Sequence, residues 1–360
     1  MKIHIFHHFD ADGYCSAAVL IKYLLGQADK EDIKCYSCIH SSQMDFSHVE
    51  KDDFVFILDY SFPEVDKPEI IKLYNNVTKN IYWIDHHDTS KDVINENEVF
   101  SKIAENGFVE VSNRYAGCLL TYFWCKHFIF VNSSDIVQGT KYSLLNTNSN
   151  TDSKIILRNA SDYKKIYDEV PNWIALVSDH DTFKHNIPNS KELVKGIYYE
   201  GPYELFLNTE SDRSFIYGNC DTDELIKSLV NVGSIILESE SRSNKRIIKN
   251  NSFVKEFHVI DEKGNEGRFS VICVNGHGNS DLFGELYTQY DAVCSFHYNG
   301  MNYMYNLYAN DDSPIKCSTI GKYYKLKYGI TGGGHEHAAG WAAPINIFDS
   351  VDKVIEINLS

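Results

Sequence analysis

The chain has 360 residues, of which 34 are basic and 50 are acidic, so its formal net charge at pH 7 is −16. The length exceeds the usual size of one domain, and we expect two. The acidic balance argues against a protein that captures long nucleic acids on a basic surface, because such capture depends on releasing counterions from phosphates, but it leaves room for a pocket that binds a short phosphorylated ligand.

In the first half of the chain, short apolar runs end repeatedly in acidic or imidazole side chains. Separated by helical or polar stretches, these runs predict parallel strands that are buried on both faces. A later run, Trp173 to Val177 in PNWIALVSDHDTF, repeats the pattern. In an open α/β sheet, ligands bind beyond the carboxyl ends of the strands. The polar residues that follow the runs are His8, Asp10 and Asp12, then Asp59, then Asp85, His86 and His87, and finally Asp179 and Asp181.

The remaining elements predict an α/β protein in which a parallel-sheet domain precedes a smaller α/β domain, with a cleft between them. The first domain covers 1–205 and contains a polar loop insertion at about 131–155, rich in Asn, Ser and Thr. A helical stretch within 206–250 connects it to the second domain, 251–360, where strand-like segments alternate with turns.

The start of the chain and its cysteines predict a soluble, cytoplasmic protein with no membrane partner. MKIHIFHHFD reaches charged residues before an apolar signal core could form. No apolar segment approaches the roughly 18 residues of a membrane helix. The nine cysteines lie mostly in apolar surroundings, which favours reduced core thiols, and the C-x-x-C of Cys35 and Cys38 is interpreted in the same way.

The polar residues at the predicted strand ends match the inventory of a two-metal centre, which needs a bridging carboxylate with oxygen and imidazole ligands on both sides. Ligation dominated by oxygen favours Mn²⁺ or Mg²⁺ over Zn²⁺. A single aspartate at a strand end is usually a helix cap, and a single histidine is usually structural. The recurrence of such residues at several strand ends favours the metal centre.

The same motifs resemble, in order, those of the DHH phosphoesterase superfamily. HHFDADGYCSAA resembles the H-x-D-x-D-G motif, LDYS the second-motif aspartate, DHH the triplet that gives the family its name, and SDHDTF the fourth motif. GGGHEHAAGW resembles the G-G-G-H element of the C-terminal DHH-associated domain, which binds substrate in such proteins. Together the motifs span residues 8 to 340 and suggest an enzyme similar to nano-RNases and oligoribonucleases.

The resemblance implies a role for each residue. Two Mn²⁺ ions, or Mg²⁺ as the alternative, are bridged by Asp59. Asp85 orients an imidazole that ligates metal, and His87 faces the scissile phosphate, so these two are the expected catalytic residues. His7 and His180 are expected to point away, because side chains alternate along an extended backbone. The implied ligands of one ion are His8, Asp10 and Asp59, and those of the other are Asp12, Asp59, His86 and Asp179.

Substrate phosphate is expected to bind at Gly332, Gly333, Gly334 and His335, where consecutive glycines allow backbone N–H groups to converge on an anion. Many relatives carry an arginine shortly before this element, where the present chain has Tyr308. Lys316 or Lys322 is therefore expected to assist His335.

The predicted activity is two-metal hydrolysis of short oligonucleotides or linear dinucleotides to 5′-mononucleotides, with no long-DNA partner. Three alternatives stay open. They are a single-strand-specific 5′–3′ DNA exonuclease similar to RecJ, a 3′-phosphoadenosine 5′-phosphate phosphatase, and a non-catalytic nucleotide-binding sensor. A manganese pyrophosphatase shares the N-terminal motifs but lacks the G-G-G-H element. A homodimer is compatible with the sequence.

Overall fold

The computed structural model confirms the predicted α/β class, and the chain divides into two compact units, Met1–Ile236 and Leu237–Ser360. No helix in the described part of the chain is long and apolar enough to cross a membrane. The residues that the structure describes are 1–25, 27–110, 115–132, 142–146, 170–218, 221–260, 266–310, 312–334, 336–349 and 353–358.

A five-stranded parallel sheet forms the centre of the first unit, in the order β2-β1-β3-β4-β5. From β1 the chain moves to one side to form β2 and then to the other side to form β3. This order places a topological switch point between β1 and β3, which is where open α/β sheets bind ligands. The strands are β1 (Ile3–His8), β2 (Ile33–Cys38), β3 (Phe54–Leu58), β4 (Ile81–Asp85) and β5 (Phe108–Val109).

Both faces of this sheet are buried, as the continuous apolar runs predict. On β3, Phe54, Phe56 and Leu58 pack into one core, and Val55 and Ile57 pack into the other. The first core includes residues of α1 (Ala11–Leu24) and α5 (Gly117–His127). The second includes residues of α2 (Lys67–Asn76), α3 (Asp88–Glu96) and α4 (Glu98–Asn106). The alternation of strand side chains therefore fixes the sheet between two helical layers.

Two predicted segments of this unit are corrected by the structure. Trp173 to Val177, predicted as a strand, lies in α6 (Asn172–Asp181), where all five residues are buried. A helix segment that is buried all round loses its periodicity and cannot be told from a buried strand by pattern alone. The predicted loop insertion at 131–155 includes β7 (Tyr142–Asn146), which pairs with β6 (Phe128–Asn132) in an antiparallel ribbon. The other residues of that insertion lie outside the described ranges.

Three further helices follow: α7 (Ser190–Glu200), α8 (Pro202–Phe206) and the 30-residue α9 (Thr222–Asn251). The helix α9 covers much of the stretch predicted as a connection, and the boundary between the two compact units falls within it. The exact domain limits at 205 and 251 stay a prediction.

The second unit is built on a seven-stranded mixed sheet, in the order β12-β13-β11-β10-β9-β8-β14. Its core holds a stack of aromatic rings, in which Trp341 lies 5.2 Å from Tyr305 and 4.9 Å from Tyr324, measured between ring centroids. The elements are β8 (Ser252–Ile260), β9 (Glu266–Asn275), β10 (Ala292–Tyr298), β11 (Tyr303–Tyr308), α10 (Cys317–Tyr328), β12 (Gly332–Gly334), β13 (Ala338–Ala343) and β14 (Val354–Asn358).

Candidate metal centre

The turn from β1 into α1 brings three predicted ligands to the carboxyl edge of the sheet. Asp10 caps α1, accepting a hydrogen bond from the backbone N–H of Gly13 at 2.8 Å, and Asp12 lies in the first helical turn. The Nδ1 atom of His8 lies 2.6 Å from a carboxylate oxygen of Asp10. A Cβ atom at residue 13 would lie 2.2 Å from the carbonyl oxygen of His8, so the tight turn between β1 and α1 requires glycine there.

Asp59 follows β3 and is the residue with the clearest need for a cation. Its backbone is left-handed, with φ of 52°, and the residue is only 1% exposed. Neither carboxylate oxygen accepts a hydrogen bond from any described residue. Burial, together with the nearby carboxylates of Asp12 and Asp10, raises the pKa of Asp59 well above its usual range. A buried carboxylate in this state is costly unless it coordinates a metal, so the residues present fit a cation here.

His86, which follows β4, lies among three carboxylates. Its Nε2 atom is 3.2 Å from Asp59 Oδ1, 3.3 Å from Asp181 Oδ2 and 3.8 Å from Asp12 Oδ2. Within each of three groups, one ligand atom per residue lies within 4.8 Å of the others, which is close enough to hold a metal ion. Asp59 is shared by two of these groups, and this suits a bridging carboxylate. The groups are His8, Asp10 and Asp59; Asp59, His86 and His87; and Asp12, His86 and Asp181.

The N-terminus of α5 holds Asp12 in place. The backbone N–H groups of Gly117 and Cys118 donate to the two carboxylate oxygens of Asp12 at 2.6 and 2.9 Å, which satisfies two of the free donors at that helix end. A Cβ atom at residue 117 would lie 2.7 Å from the Cβ of Asp59 and 3.0 Å from an oxygen of Asp12. Sequence analysis did not select Gly117, because a single glycine at the start of a helical pattern carries no specific signal.

Asp85 and His87 form a hydrogen-bonded pair beside the cluster. The Nδ1 atom of His87 lies 2.7 Å from Asp85 Oδ1, and the Ser90 hydroxyl donates to the other carboxylate oxygen. Burial on its own would lower the pKa of His87, but the hydrogen bond and the charge of Asp85 outweigh it and raise the pKa to about 9. His87 also lies 4.0 Å from Asp59 and remains about one third exposed, at 32%. The geometry thus makes Asp85 the residue that orients this imidazole.

The structure brings Asp181, rather than the predicted Asp179, to the other ligands. Both carboxylate oxygens of Asp179 accept backbone hydrogen bonds, from Asn186 at 2.9 Å and from Ile187 at 3.1 Å. Burial, followed by the charges of Asp12 and Asp10, raises the pKa of Asp181 well above its usual range. The sequence analysis assigned Asp179 from the resemblance to the fourth motif and treated this segment as a strand, whereas in the helix α6 the two aspartates lie on different faces.

Two other histidines near the cluster differ in their surroundings. His7, expected to point away, is buried with its Nδ1 2.8 Å from the carbonyl oxygen of His8 and its Nε2 3.3 Å from the Ser37 hydroxyl. His40, which the sequence analysis missed, follows β2 and is exposed, and its ring centroid lies 5.0 Å from that of His8 and 6.4 Å from that of His87. The sequence feature that could have identified His40 is its position just beyond a predicted strand, which it shares with other site residues.

In the second unit, the glycine run forms a sheet edge. Gly332 to Gly334 make up β12, which pairs antiparallel with β13. Gly334 has φ of 144°, and a Cβ atom there would lie 2.3 Å from the carbonyl oxygen of Ala338, so the close pairing itself requires glycine. His335 lies outside the described residues. Lys316 is paired with Glu336 at 2.9 Å, and Tyr308 is half-buried.

Comparison with known proteins supports the family resemblance. Residues 2–142 match the DHH family, N-terminal domain. The match covers 2–142 of the 360 residues, so this N-terminal part of the chain is similar to a DHH domain. No curated protein matches the sequence.

The chain is similar to several solved structures, and the first of those described here supports the fold. A DHH-domain protein described as a member of the s1p family of ribosomal proteins is 15% identical, with a TM-score of 0.53, over 94% of this chain and 82% of that chain. The pGpG-specific phosphodiesterase PggH from Vibrio cholerae is 14% identical, with a TM-score of 0.41, over 96% of this chain and 93% of that chain. RecJ from Thermus thermophilus in complex with Mn²⁺ is 14% identical, with a TM-score of 0.47, over 99% of this chain and 53% of that chain.

Proposed function

We propose that the protein is a two-metal phosphodiesterase that hydrolyses short oligonucleotides or linear dinucleotides to 5′-mononucleotides. The observation that carries this proposal is Asp59, whose two buried carboxylate oxygens accept no hydrogen bond within the described structure and which belongs to two ligand groups at the switch point of the sheet. Bound cations would offset the cost of burying this carboxylate.

The donor set supports Mn²⁺, with Mg²⁺ as the alternative, because carboxylate oxygens outnumber imidazoles and no thiolate belongs to the three ligand groups. If two divalent ions were bound there, they would supply a nucleophile at neutral pH and offset charge on the phosphoryl oxygens. The residues that would hold one ion are His8, Asp10 and Asp59, and those that would hold the other are Asp12, Asp59, His86 and Asp181.

The chain's own residues then position the phosphate. Asp85 fixes the ring of His87 through Nδ1, and this leaves the second ring nitrogen of His87 for a hydrogen bond to a phosphoryl oxygen. The N-terminus of α5 keeps the carboxylate of Asp12 fixed. We propose that Gly332 to His335 bind another part of the substrate.

The length of the substrate follows from charge. A net charge of −16 opposes long-range attraction of long nucleic acids, whose binding depends on neutralising many phosphates. The carboxylates at the sheet edge add local negative charge that only bound cations would offset. We therefore propose a short ligand and no long-DNA partner. The eight described cysteines are all free, which supports a reducing, cytoplasmic location.

A substrate panel tests the activity. The purified protein is incubated with Mn²⁺ and, separately, with a labelled ribodinucleotide, a long single-stranded DNA, 3′-phosphoadenosine 5′-phosphate and pyrophosphate. We expect the dinucleotide to be hydrolysed fastest and to yield 5′-mononucleotides. Equal turnover of the long strand would favour a RecJ-like exonuclease, preference for 3′-phosphoadenosine 5′-phosphate would favour a phosphatase, and no turnover of any compound would favour a sensor. The variant Asp59→Asn controls for contaminating nucleases.

A further inference from the structure

The loop after α6, residues 182–187, is built around the carboxylate of Asp179. That carboxylate accepts the backbone N–H groups of Asn186 and Ile187, and the carbonyl oxygen of Asp179 accepts the N–H of Lys184 at 3.1 Å. Within the loop, Phe183 has a left-handed backbone with φ of 52°. This conformation is uncommon for a bulky residue and persists only where the surroundings enforce it. The loop is therefore held in a specific shape.

That shape exposes the Phe183 side chain, which is 80% accessible to solvent. Single exposed apolar side chains are common on protein surfaces, so exposure alone indicates little. Phe183, however, lines a cavity of about 100 Å³ whose wall also includes the carboxylate residues Asp10, Asp12 and Asp181. The strained loop thus places the ring of Phe183 in the wall of a cavity that three proposed metal ligands also line.

A second aromatic ring lines the same cavity. Tyr198, on α7, is about half exposed, and its hydroxyl oxygen accepts a hydrogen bond from the backbone N–H of Ala11 at 3.1 Å. This bond ties the Tyr198 ring to the first residue of α1, directly beside Asp10. His180, which the sequence analysis expected to point away, lines the cavity as well. The cavity therefore combines aromatic side chains with a carboxylate cluster that fits cations bound to phosphate.

We propose that Phe183, together with Tyr198, stacks on the base of a nucleotide whose phosphate lies at the metal centre. This inference rests on the proposed function, because it takes the ligand to be a nucleotide. Stacking on an aromatic ring tolerates every base, since each base has a π face. Phe183 thus selects nucleotides over phosphorylated sugars without selecting one base, and Asp179 acts as a positioning residue that keeps the loop in shape.

A binding experiment isolates the base from the phosphate. AMP and ribose 5-phosphate, which is AMP without its base, are titrated into the protein by calorimetry in the presence of Mn²⁺. We expect wild type to bind AMP more tightly than ribose 5-phosphate by roughly 5- to 160-fold, the range that stacking on one base spans. Phe183→Ala should remove that preference and leave the affinity for ribose 5-phosphate unchanged. Phe183→Tyr should retain the preference.

Two further variants separate the ring from the loop. Phe183→Asn removes the ring but tolerates the left-handed backbone, so it should behave as the alanine variant does without adding strain. Tyr203→Ala removes an aromatic side chain that is 55% exposed but does not line the cavity, and it should bind both ligands as wild type does.

The inference is overturned if Phe183→Ala and Phe183→Asn weaken the binding of AMP and of ribose 5-phosphate by the same factor. It is also overturned if these variants change the affinity for neither ligand. A wild-type protein that does not distinguish AMP from ribose 5-phosphate would overturn it as well. These outcomes are independent of the proposed function, which fails separately if wild type turns over no compound of the substrate panel. A nucleotide-binding sensor would keep the preference for AMP and lose it on Phe183→Ala.

Discussion

The proposed metal centre takes residues from two regions, the segments that directly follow parallel strands, including the first turn of α1 with Asp12, and the end of the helix α6. Parallel strands bring their carboxyl ends to one edge, so polar residues there converge whatever the local details. Along a strand, residues two apart point the same way, whereas on a helix they are rotated by about 200°. Asp10 and Asp12, in the turn from β1 into α1, both lie at this edge and required no choice between them, whereas Asp179 and Asp181 lie on different faces of α6. The convergence of the strand ends is enough to predict that a site exists. Choosing between Asp179 and Asp181 also requires knowing that their segment is a helix.

The largest expected effect follows from Asp59→Asn, which tests the strand-end part of the comparison. Both oxygens of this carboxylate are buried without a hydrogen bond among the described residues, so the amide removes the ligand that two groups share. We expect Mn²⁺ affinity and turnover to fall by more than the ~10- to 100-fold typical of losing a residue that only supports a ligand. Without metal, thermal unfolding should occur at the same or a higher temperature, because the amide needs no compensating cation.

Asp53→Asn is the matched control, since Asp53 directly precedes β3 and is equally buried, at 1% exposure. Its carboxylate accepts the backbone N–H of Lys2 at 2.6 Å and that of Glu50 at 2.9 Å. This variant should lose about 1–3 kcal/mol of stability and keep its metal affinity. If the two variants behaved alike, Asp59 would be a structural aspartate and the metal centre would be rejected.

The pair Asp181→Asn and Asp179→Asn tests the helical part directly. Asp181 lies 3.3 Å from His86, so its amide variant should weaken Mn²⁺ binding measured by calorimetric titration, with little change in unfolding temperature. Asp179→Asn replaces an acceptor of two backbone hydrogen bonds and should cost about 1–3 kcal/mol in urea unfolding, with Mn²⁺ affinity nearly retained. The reverse pattern would restore the original sequence prediction, in which Asp179 is the ligand.

The same distinction explains what the sequence could and could not predict. Apolar runs that end in Asp or His identify the strands of the parallel sheet. They also identify the edge at which metal ligands gather, because the carboxyl ends of parallel strands lie at the same edge. The choice of Asp181 depends on α6 being a helix, and the fully buried run from Trp173 to Val177 carries no periodicity that would reveal it. Gly117 was missed because no sequence pattern marks it. It matters because a Cβ atom at this position would lie 2.7 Å from the Cβ of Asp59.

Gly117→Ala is expected to have a smaller effect, because it moves ligands without removing one. The added methyl group would overlap Asp59 and Asp12, so the N-terminus of α5 has to shift. We expect weaker Mn²⁺ binding and a stability loss of about 1–3 kcal/mol. Gly233→Ala is the control, since its Cβ would lie 1.8 Å from the carbonyl oxygen of Glu192 and touch no proposed ligand. It should lower stability alone, and an equal loss of metal affinity in both variants would show that the effect at Gly117 is not local.

At neutral pH, His7 gives the smallest expected effect on stability, because its contribution changes only in acid. Burial lowers the pKa of His7 to about 4, so the folded protein keeps this imidazole neutral while the unfolded chain binds a proton below about pH 6.5. Its contribution to stability is therefore complete above pH 6.5 and is lost as the pH falls towards 4, by about 2 kcal/mol at pH 5. In urea unfolding of metal-free protein, His7→Gln should reduce the loss between pH 7.5 and pH 5 by about that amount. His8→Gln should weaken Mn²⁺ binding instead, because alternation along β1 directs the side chains of His7 and His8 to opposite faces. If His7→Gln weakened Mn²⁺ binding as much as His8→Gln does, the assignment of these two side chains to opposite faces of β1 would be wrong.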